Sequence, residues 1–393
     1  MAWNPLSTRR ITLAAATAAL LGSTVFLAPA ASGLSARSAP AGSGKQHTPQ
    51  VVATGLDNPR LLSFSSSGDL FVAESGKGGA GPCMAAPEGE ACFGMSGAVT
   101  RIRHGKQSRV LTGLPSMAGA NGGGASGPAD VIVDGRDYAV LLGLGNDPAA
   151  RDKLPASGKL LGTVATGRFG RGAPRAIADL VAYEARVNPD GGGKDTNPTG
   201  LERGRRGGYF VADAGANALL AVDRGRSKRS RGYSVSTVTT FPKREVDAPP
   251  IPNMPPKLAM ESVPTSVATG PDGAAYVSEL TGFPFPKSGA TVWRVDRHGT
   301  RTVYATGLTN VTDLAWYRGK LYAVQLADNG MLAVSPGQLP QGSLVQVSKS
   351  GMHKVVAKGL NAPYGVAFRR GSAYLTTCAM CAGQGAVVTV AVR

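Results

Sequence analysis

The sequence predicts an all-β fold, a six-bladed β-propeller that occupies residues 50–393. Three observations predict it. The 393 residues combine 54 Gly and 27 Pro with 42% hydrophobic residues, which is typical of many short strands joined by tight turns. A pattern of four strands recurs six times along the chain. The chain also starts this pattern with the fourth strand and stops after the third, as a ring closed on itself requires.

The repeat starts with a short strand that ends in Gly, and a turn with Pro or Asn follows it. The clearest copies begin at Val51, Val303 and Val355. We label the Gly-ending strand D and the next three A, B and C. Strand A is predicted at 61–64, 130–133, 199–201, 265–268, 312–316 and 364–368. Strand B is predicted at 70–73, 138–142, 209–212, 275–278, 321–324 and 373–376. Strand C is predicted at 98–102, 159–164, 219–222, 291–295, 344–347 and 386–392.

The predicted ends of the chain indicate how the ring closes. One four-stranded sheet cannot bury both of its faces, so neighbouring sheets must stack radially. The last repeat lacks strand D, and residues 50–54 form a D strand without a repeat of their own. Pairing this strand with the last blade would cover an edge that otherwise invites aggregation. The sequence therefore predicts closure by the N-terminal strand.

The first 30 residues are predicted to be a signal peptide. Arg9 and Arg10 precede a weakly apolar run at 11–27, and the small residues Ala28 and Ala30 suit a cleavage site. The paired arginines leave two export routes open, the twin-arginine route and the general secretory route. Residues 31–49 are rich in Ser, Ala, Gly and Pro and are predicted to be a flexible linker. We expect a secreted, extracellular protein with no membrane span.

The four cysteines form two close pairs, Cys83 with Cys92 and Cys378 with Cys381. An even number in an exported chain favours disulfides over metal ligands, and the spacing favours local pairing. The C-x-x-C spacing of the second pair also suits a thiol redox centre. No βαβ pattern surrounds it, which favours a structural disulfide.

The formal net charge of +17 bears on partners. It predicts attraction to anionic surfaces such as cell-wall polymers, although it equally serves solubility. The sequence shows no stripe of alternating aromatic and basic residues, so a nucleic-acid partner is not expected.

Several motifs resemble the ScyD/ScyE family of exported propellers, and the resemblance extends from about Gln50 to the C-terminus. They are Leu56-Asp57-Asn58-Pro59, Asn188-Pro189-Asp190-Gly191, Val211 to Asn217, Val263 to Ala268, Gly270-Pro271-Asp272-Gly273 and, most distinctive, Glu279 to Pro286. The resemblance implies a propeller fold and export. It supplies no catalytic residues, because the family has no settled activity. Ala129 stands where the family usually has His.

The long connections indicate a recognition face. In a propeller the D–A and B–C connections emerge on one face, and nearly all long insertions fall there: 74–97, 114–129, 143–158, 183–198, 241–264, 279–290 and 325–342. Long loops in a compact fold are usually functional. We therefore expect a binding or scaffold protein whose partner is a protein, a glycan or a small molecule. The sequence does not decide whether the protein is an enzyme, but it favours a binding role over a catalytic one.

A metal site is a second hypothesis for this face. Side chains that close strand B or open strand A should point at the central channel, with Asp313 and Arg60 beside them. The candidate calcium ligands are Glu74, Asp130, Asp213, Asn217 and Glu279. Gluconolactonase-like propellers of the NHL type hold an ion in this way, so a metal-dependent, lactonase-like hydrolase is the alternative function. The same residues equally suit the capping of strand ends. His104, His298 and His353 lie in short C–D turns, which argues against serine or zinc hydrolase chemistry on the long-loop face.

Overall fold

The computed structural model describes residues 49–86, 89–225 and 232–392. The predicted signal peptide and all but the last residue of the predicted linker lie outside these ranges. The described chain is an all-β protein of the β-propeller type, built mainly from four-stranded antiparallel sheets. No helix in the described ranges is long and apolar enough to cross a membrane.

The first strand, β1 (Gln50–Leu56), belongs to the last sheet along the chain. Sheet 1 consists of β2 (Pro59–Phe64), β3 (Leu70–Glu74), β4 (Cys83–Ala86), β5 (Gly89–Arg103) and β6 (Lys106–Ala118). Sheet 2 consists of β7 (Pro128–Asp134), β8 (Asp137–Leu142), β9 (Thr163–Arg168) and β10 (Arg175–Asp179), and it contains the helix α1 (Pro148–Asp152) in a connection. The helix α2 (Leu180–Val187) leads to the next sheet.

Sheet 3 consists of β11 (Pro198–Arg203), β12 (Tyr209–Asp213), β13 (Ala218–Arg224) and β14 (Tyr233–Thr240). A two-stranded hairpin follows, β15 (Arg244–Asp247) with β16 (Lys257–Met260). Sheet 4 consists of β17 (Pro264–Thr269), β18 (Ala275–Glu279), β19 (Ala290–Val295) and β20 (Arg301–Leu308). Sheet 5 consists of β21 (Val311–Tyr317), β22 (Lys320–Gln325), β23 (Gln341–Gln346) and β24 (Lys354–Asn361). Sheet 6 consists of β25 (Val366–Arg369), β26 (Ser372–Thr377) and β27 (Gly385–Ala391), completed by β1.

Strand β1 pairs with β27 in antiparallel register, and Gln50 lies opposite Thr389 and Leu56 opposite Gly385. Val51 and Val388 are partners between them. The edge of the last strand of the chain is therefore covered by the first strand of the described residues, which removes an exposed ladder of N–H and C=O groups.

The apolar core is divided among the gaps between consecutive sheets. One cluster joins sheets 1 and 2 through Phe71 and Val131, and others join sheets 2 and 3, 3 and 4, 4 and 5, and 5 and 6. A further cluster joins Leu70 and Val72 of sheet 1 to Ala53 and Val387 of sheet 6. Each sheet is therefore packed on two neighbours, and this is why β3 and β18 are buried along their whole length.

Hydroxyl groups on the strands link one sheet to the next. Thr265 donates to the carbonyl oxygen of Val311 at 2.7 Å, and Thr312 donates to that of Tyr364 at 2.6 Å. Thr376 on β26 of sheet 6 donates to the carbonyl oxygen of Arg60 in sheet 1 at 2.8 Å. These bonds give backbone carbonyl groups a hydrogen-bond partner in the neighbouring sheet.

The structure confirms the six predicted B strands within one residue at each end and corrects three other predictions. Strand β5 begins at Gly89 and β6 continues to Ala118, because the long connection before β5 itself pairs as the β4–β5 hairpin. The third strand of sheet 2 begins at Thr163, since residues 156–160 form a 3-10 turn in place of the predicted strand. Helix α2 and the β15–β16 hairpin occupy parts of the connections predicted at 183–198 and 241–264.

The pairing of β1 with β27 predicts unequal effects for two apolar residues on one strand. Leu56 is 1% exposed and packs between sheets 1 and 6, whereas Val51 is 64% exposed. We expect Leu56→Ala to lower the free energy of unfolding by about 2–4 kcal/mol because it leaves a cavity. Val51→Ala is the matched control and should stay within about 0.5 kcal/mol. Denaturant titration measures both. Equal, small effects would show that the strand does not contribute to the core.

Candidate functional site

A cavity with a volume of about 590 Å³ is lined almost entirely by D–A and B–C connections. The segments after β3, β6, β8, β18, β22 and β26 all contribute to its wall. The large apolar side chains in the lining are Met84, Met117, Leu144, Leu280, Phe285, Leu326, Met331, Leu339, Tyr364 and Met380. The polar ones are Arg60, Ser75, Glu90, Asn121, Ser126, Asn146, Asn197, Thr199 and Gln338. The cavity therefore combines large apolar side chains with nearly as many polar ones, which can orient a ligand.

Hydrogen bonds between loops hold one wall of the cavity. Met117 at the end of β6 pairs through its backbone with Ser126, and the Asn146 amide donates to the carbonyl oxygen of Ala85 at 2.8 Å. The buried Asn58 amide donates to the carbonyl oxygens of Gly76 and Gly122, each at 2.7 Å. These loops are tied to the sheets beneath them, which favours a cavity that is formed before any ligand arrives.

Glycines let the backbone line the cavity closely. A Cβ on Gly127 would overlap the carbonyl oxygen of Ser75 in the neighbouring loop. At Gly145, φ is +69° and a Cβ would lie 2.9 Å from the Ser126 hydroxyl. The two Gly-rich stretches at 119–127 and 143–145 are thus part of the site. Both stretches lie in long connections of the predicted recognition face, but the sequence alone did not single out their glycines, whose missing Cβ atoms permit this close approach.

Of the seven side chains predicted at the central channel, only Arg60 lines this cavity. Its Nε donates to the Ser75 hydroxyl at 3.2 Å, and its Nη2 donates to the carbonyl oxygen of Ala125 at 2.7 Å. Its Cζ lies 4.8 Å from the centre of the Tyr364 ring, which is a cation–π distance. Three neutral groups thus position the guanidinium.

Glu74 and Glu279, two of the predicted calcium ligands, are completely buried ion-pair partners. Glu74 accepts Arg109 Nη2 at 2.7 Å and Thr100 Oγ1 at 2.5 Å. Glu279 accepts both terminal nitrogens of Arg244 at 2.8 and 2.6 Å. Their oxygens also accept other donors, the backbone N–H of Asp57 on Glu74 and the Trp293 indole on Glu279. Glu74 therefore links the end of β3 to β6, and Glu279 links the end of β18 to the hairpin strand β15.

Asp130 bridges two sheets. Its carboxylate accepts the backbone N–H of Val131 at 2.7 Å in its own sheet and that of Leu201 at 2.8 Å in sheet 3. Asp313 does the same, since it accepts Ser266 Oγ at 2.6 Å from sheet 4 and the N–H of Val366 at 2.7 Å in sheet 6. Burial raises the pKa of Asp130 well above its usual range and raises the pKa of Asp313 to about 7. In both cases the cause is the free-energy cost of burying a charged carboxylate.

Asp213 and Asn217 lie together in a separate polar cluster beside α2. Asp213 accepts Thr196 Oγ1 at 2.6 Å and the N–H of Asn197 at 2.7 Å, and Asn217 donates to Asp190 Oδ2 at 2.9 Å. Glu184 is only 1% exposed, and neither of its carboxylate oxygens has a hydrogen-bond partner among the described residues. Burial, followed by repulsion from Asp213, raises its pKa to about 7. Burial likewise raises the pKa of Asp195 to about 6 and that of Asp213.

The structure thus places the five predicted ligands in different settings and brings together only Asp213 and Asn217. In the ranges described, the one group of three metal-type side chains with ligand atoms within 4.8 Å of one another is Cys83, Glu90 and Cys92. Its two cysteines are in a disulfide and offer no thiolate. The calcium site stays a prediction. Glu184, Asp190 and Asp195 were missed, although oxygen-bearing residues recur through the Gly-rich segment at 188–197.

The two disulfides are those predicted, Cys83 with Cys92 and Cys378 with Cys381. The first joins directly opposed residues of β4 and β5. The second closes a short loop whose Met380 lines the cavity and whose Cys381 carbonyl oxygen accepts the N–H of Asn58. Both bonds support segments of the cavity wall. None of the described histidines lines it.

Comparisons with known proteins bear on the fold of this chain. No family model matches the chain, and no curated protein matches it. Among solved structures, a luciferin-regenerating enzyme is similar at 8% identity with a TM-score of 0.50, over 88% of this chain and 95% of that one. Virginiamycin B lyase from Staphylococcus aureus is similar at 9% identity and a TM-score of 0.43, over 86% and 96%. A putative 6-phosphogluconolactonase from Bacteroides uniformis follows at 13% and 0.44, over 87% and 88%. At these identities the similarity concerns the fold alone.

The Arg244–Glu279 pair predicts a large loss of stability. Arg244→Met leaves the Glu279 carboxylate buried without its cation, so we expect the free energy of unfolding to fall by about 3–5 kcal/mol. The neighbouring Lys243→Met breaks an ion pair with Glu261 in which both side chains are nearly half exposed, and it should cost less than about 1 kcal/mol. Denaturant titration compares them. The double variant R244M/E279Q should recover part of the loss, and no recovery would contradict this explanation.

The raised pKa of the buried Glu184 predicts how the free energy of unfolding depends on pH when a chelator removes metal ions. Its pKa is about 7 in the folded protein and about 4.5 when unfolded, so the folded state binds more protons between these values. The stability that the protonated Glu184 carboxyl gives the folded state is fully present below about pH 4.5 and is lost as the pH rises through about 7. We expect Glu184→Gln to be more stable than wild type at pH 8 by about 1–3 kcal/mol, with a flatter pH profile.

The exposed Glu245→Gln is the control for this change and should leave the profile unaltered. Identical profiles for wild type and Glu184→Gln would contradict the assignment. Repeating the melts with calcium tests on the same samples whether the cluster that contains the predicted ligands Asp213 and Asn217 holds an ion. Glu184 was not among the predicted ligands, but an ion bound there with its help would raise the Tm of wild type and not of the variant.

Proposed function

We propose that this protein is an exported β-propeller of the ScyD/ScyE type that binds a small molecule in the cavity formed by its long connections. In this proposal the six sheets are six blades of one ring, which β1 closes by completing the last blade. The pairing of β1 with β27 and the packing of sheet 6 on sheet 1 support the closure. The two disulfides support export to an oxidising compartment.

The cavity is the observation that carries the proposed function. Its volume of about 590 Å³ lies in the range that small-molecule sites occupy, and its wall combines large apolar side chains with polar groups, of which Arg60 and Asn146 are held by hydrogen bonds. Four of the lining residues are methionines, whose flexible side chains adapt to the shape of an apolar ligand. Phe285 comes from the loop that is most distinctive of the family resemblance.

A hydrolase is the weaker candidate. Lactonase-like chemistry needs a metal ion with an open coordination position next to the substrate. The carboxylates predicted for that purpose do not line the cavity, and Glu74, Glu279 and Asp130 already accept protein donors. Binding without chemistry is what the cavity supports.

Adjacent residues at the cavity provide a matched test. Met331 lines the cavity, and the next residue, Leu332, is 50% exposed and does not. We expect Met331→Gln to weaken binding of the neutral fluorescent probe N-phenyl-1-naphthylamine about 3- to 10-fold, because a polar group in the wall costs about 1 kcal/mol or more. Leu332→Gln should leave the dissociation constant within about twofold.

Fluorescence titration at constant protein concentration gives both dissociation constants, and thermal melts confirm that both variants are folded. If wild type did not bind the probe at all, or if the two substitutions weakened binding equally, the cavity would not be the binding site.

A further inference from the structure

We infer that the ligand of this cavity is an apolar molecule that carries one anionic group, a carboxylate or a sulfonate, and that Arg60 is the group that binds the anion. The inference rests on the proposed function, because it specifies the chemistry of the ligand for that same cavity.

The position of Arg60 is the first argument. The residue lies at the start of sheet 1, and its guanidinium lines the cavity between Ser75, Ala125 and Tyr364. Nε and Nη2 each have a protein acceptor, whereas Nη1 makes no hydrogen bond to the described residues. The side chain is thus oriented by neutral partners while one face of its fork stays available. A planar guanidinium held in this way suits the recognition of a carboxylate or sulfonate.

The charge balance is the second argument. Within the described ranges no carboxylate oxygen lies within 4.0 Å of a nitrogen of Arg60. The two buried acids whose charge would be felt at the neighbouring Tyr364 are Asp130 and Asp313. Both carboxylates already accept backbone N–H groups of other sheets, Asp130 from Leu201 at 2.8 Å and Asp313 from Val366 at 2.7 Å. Arg60 therefore brings a positive charge without a direct carboxylate partner into the cavity.

The remaining charge in the lining does not cancel it. Among the lining residues that the structure describes, Glu90 is the only acid, and it is an exposed residue at the start of the disulfide-linked hairpin. An exposed carboxylate interacts weakly across water, whereas a partly buried guanidinium interacts strongly with an anion that displaces water from it. The formal charge of +17 adds a long-range attraction for anions.

A purely structural role is the competing explanation, in which Arg60 does no more than fasten the Gly-rich segment at Ala125 to sheet 1. The two explanations differ in one respect. A fastening role makes the affinity for neutral and anionic molecules fall together when Arg60 is changed. An anion-binding role makes only the affinity for the anion fall.

Two probes of nearly equal shape separate these cases: neutral N-phenyl-1-naphthylamine and 8-anilinonaphthalene-1-sulfonate, which adds a sulfonate to the same rings. We expect wild type to bind the sulfonate about 10-fold more tightly than the neutral probe, since one charge-assisted hydrogen bond gives about that factor. Arg60→Gln should abolish this preference and leave the affinity for the neutral probe within about twofold. Arg60→Lys should keep part of the preference, because the charge remains and the fork is lost.

Arg175→Gln is the matched control, because it removes one positive charge from an exposed position on β10 that does not line the cavity. It should leave the affinities for both probes unchanged. Titrations are run at one salt concentration with melts of every variant.

The outcomes separate this inference from the proposed function. If wild type bound neither probe, the proposed function would fail, and this inference with it. If wild type bound both probes equally, the cavity would remain the proposed binding site, and the inferred preference for anions would be wrong. If Arg60→Gln weakened both probes alike, or if Arg175→Gln reduced the preference as much as Arg60→Gln, Arg60 would not be the anion-binding group. The comparison of the two probes on wild type needs no variant, so it tests the preference of the cavity for anions even if Arg60→Gln does not fold.

Discussion

The central strands of these sheets have two apolar faces, and no sheet can cover both by itself. The structure meets this requirement by stacking each sheet on the one before and the one after it, so that the apolar core is divided into layers between sheets. Every other feature depends on that stacking. It brings the first strands of the sheets close together, and it gathers the connections from their ends around one cavity. It also leaves the last sheet without a neighbour unless the start of the chain returns to it.

Buried carboxylates at the ends of the strands also link neighbouring parts of the structure. Asp130 and Asp313 each accept a backbone N–H from another sheet, and Glu74 and Glu279 each bind an arginine, Arg109 on β6 and Arg244 on the hairpin strand β15. Such groups cost free energy to bury, and only complete hydrogen bonding offsets the cost. Their regular occurrence is therefore a consequence of stacking sheets side by side, and it resembles a ring of metal ligands when the sequence alone is considered.

Features with a local sequence signal could be predicted, whereas features that depend on distant partners could not. The B strands could be located because a short apolar run between Gly turns is a local signal, and all six lie where the repeat predicts them. The local disulfides followed from spacing, and Cys83 and Cys92 indeed face each other across β4 and β5. The extension of β5 and the helix α2 were missed, because hairpin pairing within an insertion and helix formation in an eight-residue segment depend on their neighbours. The partners of Glu74 and Glu279 lie 35 residues away in each case, and no local pattern identifies them.

The cavity wall is divided among connections that belong to different sheets, from Arg60 near the start of the propeller to Met380 near its end. Each connection is anchored on its own sheet, so an insertion in one of them reshapes one side of the cavity and leaves the other sides in place. On this plan the shape of the cavity can change one loop at a time while the sheets stay constant. Because β1 pairs with β27, the sheets that carry Arg60 and Met380 lie side by side although these residues are far apart along the chain.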